Sequence, residues 1–425
     1  MTKRDSIFPI ILLTSLFFLW GFAHNLDPIL IPHLKRSFTL STVQATLVDS
    51  AVFMAYFLMA IPAGMIIKKG GYKVGIITGL IVFAAGCYLF IPAANTQQYT
   101  FFLVALFVIA CGLTTLETAA NPYITVIGDP EGASTRLNFA QSFNGLATTL
   151  APIIGAKFIL TKSYTEEALK AMSPAAQQFA LATEASSVKM PYFILGTVLL
   201  VIAVFFFFTK MPVVNTHAAN TTTKSRHIFQ ALRHKHLSWA VAAQFFYVGG
   251  QVCVLSLFLL YATTAAHINE TAASYYLGAA GFSFLIGRFI GTALMKFIAP
   301  QKLLGLYAVI NVLLCFGAIY FHGIVTVYIV IGICFFMSIM FPTIFALGIK
   351  GLGSDTEYGS SLIIMSIVGG AIVPRFYAYI SDHTGNIQDG YWVPLCCFVI
   401  IALFGLSGYR IRQPKTESIA ASHIL

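Results

Sequence analysis

Long apolar runs separated by short polar stretches dominate the sequence. A helix needs about 20 residues to cross the ~30 Å of hydrocarbon in a bilayer, and twelve runs approach or exceed that length. The predicted spans are 7–31, 43–67, 74–93, 99–127, 137–160, 190–210, 237–263, 272–298, 302–321, 325–349, 358–381 and 391–411. A transmembrane β-barrel would show shorter segments of alternating polarity. The pattern predicts an all-α integral membrane protein whose first apolar run, which lacks a small-residue cleavage site, is kept as a span.

The composition supports this fold class. Of the 425 residues, 58% are hydrophobic and 9% are charged, whereas a soluble domain is about 25% charged. These values exclude a soluble enzyme, a nucleic-acid-binding protein and a disordered chain. The net charge of +10 is interpreted as cationic cytoplasmic loops, because most of the Lys and Arg residues fall on the membrane face that carries the N-terminus. Both termini are therefore predicted to be cytoplasmic.

A polar loop divides the chain into comparable halves. The predicted organisation is an N-terminal half at 1–210, a cytoplasmic linker at 211–236, and a C-terminal half with a short cytoplasmic tail at 237–425. Pro122 and Pro342 recur at nearly the same spacing as Pro152 and Pro374. This spacing favours two parallel repeats of six spans. Chance recurrence of prolines is the alternative.

Three acids fall inside predicted spans, where charged groups are expensive and usually functional. Glu117 is the deepest of them, and Pro122 follows it in the same span. Proline lacks an N–H and clashes with the carbonyl of residue 118, so the helix is predicted to open locally there. Desolvation favours the protonated form of such a carboxyl, which suits a proton carrier. A structural carboxylate bonded to neighbouring spans is the alternative. Asp27, which is three residues from His24, ranks second, and Asp49, close to the outer start of the second span, ranks third.

Two arginines also lie within predicted spans. Arg288 is near the cytoplasmic end of the eighth span, where a structural role is favoured and the side chain is expected to snorkel to the surface. Arg375 lies deeper in the eleventh span and is a candidate partner for an acid.

No enzyme motif is present in the sequence. There is no metal-ligand spacing, no GxSxG and no phosphate-binding loop. The seven cysteines lie inside apolar runs and are interpreted as small hydrophobic residues. We therefore expect no enzymatic activity, no metal and no cofactor.

Uncharged polar residues form two stripes inside the predicted spans. The stripe in the fifth span consists of Asn138, Gln141 and Asn144, and the stripe in the seventh consists of Gln244, Tyr247 and Gln251. The first span adds Asn25. Their spacing places each set on one helical face. Amides and aromatic rings suit a polyhydroxylated ligand with apolar C–H faces, so these residues are predicted to bind substrate. Hydrogen bonding between helices is the alternative.

Several motifs are similar to those of one family. They are Phe17–Trp20, Ile61–Gly64, Gly75–Leu80, Leu116–Pro122, Ala243–Gly249, Phe341–Phe345, Gly348–Lys350 and Tyr358–Ser361. Through them the chain resembles the bacterial fucose permease (L-fucose:proton symporter) family of the major facilitator superfamily. The match extends through nearly every span.

This resemblance implies a twelve-helix transporter with a central cavity between two six-helix halves. It implies proton-coupled uptake of a monosaccharide, most simply L-fucose. Glucose, galactose or N-acetylglucosamine as substrate, and Na⁺ coupling or uniport as mechanism, are the alternatives. A channel is less favoured because it would not need a protonatable glutamate beside an opened helix. A sugar sensor is less favoured because no loop is large enough for an output domain. The implied setting is the bacterial inner membrane, with the lipid bilayer as surroundings, a functional monomer and no nucleic-acid partner.

The resemblance also implies roles for individual residues. Glu117 corresponds to the family's fourth-span glutamate, which takes part in proton coupling and sugar recognition. Gln141 and Asn144 correspond to fifth-span amides that touch sugar, and Asn25 corresponds to a first-span asparagine.

The first span departs from the family pattern. The family commonly reads Leu-Asn-Asp-Ile there, whereas this chain reads Leu-Asp-Pro-Ile, with Pro28 at the position of the second essential acid. One residue turns a helical side chain by about 100°. Either Asp27 reaches the same cavity from its shifted position, or its role has moved to Asp49.

Overall fold

The computed structural model describes residues 7–26, 38, 47–96, 98–127, 129–159, 172–212 and 228–411, and most of these residues are helical. The helices that form the spans are Ile7–His24, Leu47–Thr96, Tyr99–Val126, Ala133–Ile159, Lys189–Phe208, Lys235–Ser256, Phe258–Ala265, Glu270–Leu294, Pro300–Tyr320, Ile324–Met337, Met340–Ile349, Thr356–Met365, Gly369–Thr384 and Trp392–Leu403. A further helix, Pro174–Ser186, lies between the fifth and sixth spans.

Within the described residues, nine helices, some of them joined end to end, are long and apolar enough to cross a membrane. One of them, Leu47–Thr96, contains both the second and the third span. The shorter helix Ile7–His24 and the more polar helix Ala133–Ile159 supply the first and the fifth. The helices therefore account for all twelve predicted spans.

The second and third spans are two helices that follow each other directly within Leu47–Thr96 and are separated by a kink. Gly71 makes this kink with φ 82° and ψ 171°, a backbone conformation that is essentially confined to glycine. Lys73, just after the kink, donates hydrogen bonds to the carbonyls of Phe207 (2.8 Å) and Thr209 (3.0 Å). These two carbonyls lie at the C-terminal end of the sixth span, where a cation is favourable.

The fourth span is not interrupted at Pro122. It continues from Tyr99 to Val126 with the proline inside it, so the predicted opening is confined to the loss of one backbone hydrogen bond. The interruptions lie in the second half instead, where turns divide the seventh and tenth spans and a short 3-10 helix, Ser366–Val368, divides the eleventh.

Small residues bring the helices of the first half close together. A Cβ atom added to Gly112 in the fourth span would lie 2.4 Å from the backbone nitrogen of Phe83 in the third. Such close backbone approach is typical of packing between membrane helices, because lipid supplies no hydrophobic force to press them together.

The outer surface of the helices is apolar. Phe207, Phe208 and Phe297 are 64%, 77% and 86% exposed, respectively. On a soluble protein such a surface would favour aggregation, whereas in a bilayer it contacts lipid tails.

The two sets of six spans meet near one membrane face, which we call the linker face because the end of the sixth span and the start of the seventh lie there. A Cβ atom added to Gly64 would lie 1.9 Å from the hydroxyl oxygen of Ser361. The Lys68 ammonium lies 3.7 Å from the centre of the Tyr358 ring. The second and eleventh spans are therefore in tight contact near this face.

Candidate functional site

Glu117 is a buried acid at the centre of the candidate site. Its side chain is 8% exposed, and the Tyr56 hydroxyl of the second span donates a hydrogen bond of 2.6 Å to its Oε1. Among the described residues, no cation forms an ion pair with it. A carboxyl held by a neutral donor and not by a fixed positive charge can be accommodated in both its protonated and its ionised form.

An amide pair lies one helical turn beyond Glu117. Asn121 is on the same face of the fourth span, and its Oδ1 accepts a hydrogen bond of 3.2 Å from Nε2 of Gln141 in the fifth. Both residues are buried, and the Asn121 side-chain nitrogen has no partner among the described residues. Asn121 was not among the residues predicted to form the site, although its spacing of four residues from Glu117 is the signal that could have identified it.

Two other predicted substrate residues meet at the first span. The Asn25 side-chain nitrogen donates to the carbonyl of Gly21 at 2.6 Å. A Cβ atom on Gly21 would lie 2.7 Å from the side-chain nitrogen of Asn144. Both asparagines are half-buried, so the structure brings Asn25 and Asn144 together around one glycine.

Asn138 lies in the contact between the halves. Its side-chain nitrogen donates to the Ser134 carbonyl (2.9 Å) and to the Thr343 hydroxyl of the tenth span (3.0 Å). Its Oδ1 is buried and has no partner among the described residues. The donor side of this amide is therefore occupied by protein, and its predicted role in substrate binding stays a prediction.

The seventh-span stripe is buried toward one end and half-open at the other. Gln244 and Tyr247 are both 0% exposed, and neither the Gln244 amide nor the Tyr247 hydroxyl has a partner among the described residues. Gln251, farther along the same span, is half-buried. The role of these three residues in substrate binding also stays a prediction.

The second acid is not identified by the structure. Asp27 lies outside the described residues. Asp49 lies in the first turn of its helix with an exposed side chain. The assignment of the second functional acid to Asp27 or Asp49 therefore stays a prediction.

Arg288 is buried, so the expectation that it snorkels to the surface is wrong. Its Nε donates to the Ser338 carbonyl and one terminal nitrogen donates to the Gln141 carbonyl, both at 2.8 Å. Its guanidinium also lies 4.5 Å from the centre of the Phe284 ring. The Ser338 carbonyl sits four residues before Pro342, which has no N–H to give it. Arg288 therefore satisfies an otherwise unpaired carbonyl and joins the eighth and tenth spans to the fifth.

Arg375 is exposed, and no described acid forms an ion pair with it. The expectation that it pairs with an acid of the site finds no support within the described part of the chain.

The carbonyl that Pro122 leaves unpaired also has a partner from another span. The Ser360 hydroxyl of the eleventh span donates to the Thr118 carbonyl at 2.9 Å. Both residues are fully buried. The sequence predicted the unpaired carbonyl but not the serine, because Ser360 lies in the other half of the chain.

Arg136 holds the linker-face end of the fourth span. It donates three hydrogen bonds to backbone carbonyls: to Ile124 at 3.2 Å, to Thr125 at 2.8 Å and to Asp129 at 2.7 Å. A cation at a helix C-terminus interacts favourably with the helix dipole. This cap fixes the end of the helix that carries Glu117.

Within the described residues, no group of three or more His, Cys, Asp and Glu side chains is placed to hold a metal ion. All seven cysteines are free thiols, and five of them are buried.

Comparison with known proteins places the chain among transporters. The sequence model of the Major Facilitator Superfamily matches residues 11–373. The L-fucose-proton symporter of Escherichia coli is 42% identical over 95% of this chain and 93% of its own length. The glucose/galactose transporter of Brucella abortus is 40% identical over 96% of both chains. The L-fucose-proton symporter of Haemophilus influenzae is 33% identical over 97% of this chain and 99% of its own.

A solved structure shows the same architecture. It is the Major Facilitator Superfamily transporter FucP in the outward conformation, with a TM-score of 0.88 and 41% identity over 95% of this chain and 99% of that chain. The relatives of this chain are transporters and not enzymes, in agreement with the sequence analysis. With twelve spans in two six-helix repeats, and with relatives matched over nearly its whole length, this chain is a multi-pass inner-membrane protein that belongs to the Major Facilitator Superfamily.

Proposed function

We propose that this chain is a proton-coupled importer of a monosaccharide, with L-fucose as the first candidate. The observation that carries the proposal is the buried Glu117 carboxyl, which has a hydroxyl partner, has no cation among the described residues, and lies one turn from the Asn121–Gln141 amide pair. A group that can exchange a proton and amides that can bind hydroxyls thus lie one helical turn apart.

The relatives support sugar as the substrate class. Two of them are named L-fucose-proton symporters and another is named a glucose/galactose transporter. The two names come at nearly the same identity, so glucose and galactose are the principal alternatives and N-acetylglucosamine is a third. Coupling to Na⁺, or transport without a coupled ion, is the alternative mechanism.

Protonation of Glu117 and sugar binding support each other in this mechanism. The neutral carboxyl can donate a hydrogen bond to a sugar hydroxyl, while the amides of Gln141, Asn144 and Asn25 donate and accept others. Release of the proton on the inner side leaves a negative charge on the buried Glu117 carboxyl, which lowers the affinity of the site for sugar. Transport then proceeds by rocking of the two halves about the site.

The remaining assignments complete the proposal. The linker face is cytoplasmic, both termini lie on that side, and the halves comprise 1–210 and 237–425. Asp27 or Asp49 supplies the second functional acid, Asn138, Gln244, Tyr247 and Gln251 add to the substrate site, and the protein works as a monomer.

The test is transport by the purified protein in proteoliposomes. A panel of radiolabelled L-fucose, glucose, galactose and N-acetylglucosamine is offered with an inward proton gradient, with an inward Na⁺ gradient, or with no gradient. We expect accumulation of one or more of these sugars above equilibrium with the proton gradient alone. Accumulation driven by Na⁺, or equilibration without concentration under every gradient, would contradict proton coupling.

Glu117→Gln tests the role of the acid. The amide mimics the neutral carboxyl, so this variant should exchange sugar across the membrane but fail to concentrate it. Glu131→Gln, which changes an exposed acid just beyond the same span, should behave like the unchanged protein. If Glu117→Gln still accumulated sugar fully and Asp27→Asn or Asp49→Asn did not, the proton-carrying role would be assigned to that aspartate and not to Glu117.

A further inference from the structure

Ser360 differs from its neighbours Ser361 and Ser366 in the hydrogen bond that its hydroxyl donates. Ser361 and Ser366 donate to carbonyls of their own segment, those of Glu357 (3.0 Å) and Ile363 (2.6 Å). Such bonds are ordinary for serine within a helix. Ser360 instead donates to Thr118, which belongs to the other half of the protein.

The acceptor is the one carbonyl of that helical turn that cannot be satisfied within the helix. In a regular helix the N–H of residue 122 would donate to the carbonyl of residue 118, but Pro122 has no N–H. Within a membrane an unpaired carbonyl is tolerated only where protein or water satisfies it. The Ser360 hydroxyl satisfies it here, in a contact from which solvent is excluded.

The position of this bond links it to the opening of the linker face. It lies on the same pair of contacting surfaces as the Gly64–Ser361 contact and the Lys68–Tyr358 pair. When the halves rock apart at that face, the serine must leave the carbonyl. The carbonyl belongs to Thr118, the residue after Glu117, so the bond ends on the segment that holds the acid.

We propose that Ser360 is a positioning residue that keeps the linker face closed by supplying the hydrogen-bond donor that Pro122 withholds from the fourth span. The inference rests on the transport function proposed above, since it concerns the step that exposes the site to the linker face. The proposal assigns a role to a residue outside the substrate and proton site. It also assigns Pro122 a role in closing the linker face.

The second half contains a related arrangement. Pro342, the repeat counterpart of Pro122, leaves the Ser338 carbonyl unpaired, and Arg288 supplies the donor while also bonding the Gln141 carbonyl of the first half. In both halves, a carbonyl freed by a proline is satisfied by a side chain that takes part in a contact between the halves.

The experiment measures the closed–open equilibrium directly, without sugar. Donor and acceptor dyes are attached through azido-phenylalanine at positions 69 and 350, which carry exposed lysines near the linker face on opposite halves. Single-molecule energy transfer in nanodiscs then gives the ratio of molecules that are open to molecules that are closed at that face. Because no substrate is added, a wrong assignment of the sugar or the coupling ion leaves this reading unaffected.

Ser360→Ala should raise the open-to-closed ratio by roughly two- to tenfold, the range expected for one net hydrogen bond. The matched control Ser366→Ala, which loses a hydroxyl bonded within its own segment, should leave the ratio unchanged. Equal ratios in the two variants would overturn the proposal.

Pro122→Ala provides the second arm. It restores the N–H of residue 122, so the Thr118 carbonyl no longer depends on the serine, and adding Ser360→Ala should then change the ratio less than twofold. An undiminished effect of Ser360→Ala in this background would overturn the proposal. Should Pro122→Ala fail to fold, Ser360→Cys replaces it: its thiol is a weaker donor, so its ratio should fall between those of serine and alanine. A ratio equal to that of the unchanged protein would show that side-chain shape closes the face, and the proposal would fall.

Discussion

Arg288 allows a prediction in which the conservative substitution is the more damaging one. Arg288→Lys keeps a positive charge at this buried position, and Arg288→Met keeps an apolar stem of similar reach without the charge. Conventional substitution rules favour lysine. The contacts of the guanidinium lead to the opposite expectation, because the two carbonyls that it binds are reached from two different nitrogens.

The magnitudes follow from what each variant leaves behind. Lysine is a single point charge and lacks the planar fork that reaches both carbonyls. A buried charge that loses its partners destabilises a protein by about 3–5 kcal/mol. Methionine removes the buried charge and with it a desolvation penalty of several kcal/mol, but leaves the Ser338 carbonyl unpaired at about 1–3 kcal/mol. The net loss for methionine should therefore stay within about 2 kcal/mol.

The assay is the free energy of unfolding measured by titration with SDS in mixed micelles. We expect Arg288→Lys to be less stable than Arg288→Met. Adding Pro342→Ala, which restores an N–H for the Ser338 carbonyl, should recover stability in the methionine variant. Lys296→Met, at an exposed cation just beyond the end of the helix that carries Arg288, is the matched control and should be near neutral. A lysine variant as stable as the unchanged protein, beside a strongly destabilised methionine variant, would refute this reasoning.

Three further predictions concern other contacts. Arg136→Ala should destabilise the protein by about 2 kcal/mol, because three hydrogen bonds are lost, two of them to carbonyls at the end of the fourth span. Arg136→Lys should recover only part of this loss in the same titration; full recovery would show that the positive charge alone is sufficient. Gly64→Ala should slow sugar exchange, because the added methyl group collides with the Ser361 hydroxyl when the linker face is closed. Adding Ser361→Ala should partly restore the exchange rate. A normal exchange rate in Gly64→Ala alone would contradict this close contact. Asn144→Ala should weaken sugar binding about tenfold, a loss of about 1.4 kcal/mol, with near-normal folding, as measured by equilibrium binding to the purified protein; an unchanged affinity would remove Asn144 from the site.

The sequence predicted those features that depend on one helix at a time. Apolar length is sufficient to place the twelve spans, and the depth of Glu117 in an apolar run predicted its burial. The unpaired carbonyl of Thr118 also followed from Pro122 alone. In each case the physical cause lies within a few turns of the residue concerned.

Contacts between distant segments were not predictable in this way. The partners Tyr56, Ser360 and Gln141 are far along the chain from Glu117, Thr118 and Arg288, so no periodicity indicates which of them meet. The snorkelling expected of Arg288 followed from its distance to the span end, and it failed because carbonyls inside the protein satisfy the guanidinium. Contacts between the halves also depend on which membrane face is closed. A transporter sequence specifies both the inward-closed and the outward-closed conformation, so it does not indicate which contacts one conformation contains.

The kink at Gly71 has a mechanical consequence for the whole first half. Gly71 joins the second and third spans directly, and each of them contacts the fourth span: the second through the Tyr56–Glu117 hydrogen bond and the third through Phe83, which packs against Gly112. A side chain at position 71 would meet no atom within 4 Å, so the constraint there is dihedral and not steric. A displacement of the fourth span, which carries Glu117, should therefore move the second and third spans together. Extra residues at position 71 would allow these two spans to move independently and would weaken the coupling between Glu117 and the adjacent membrane face.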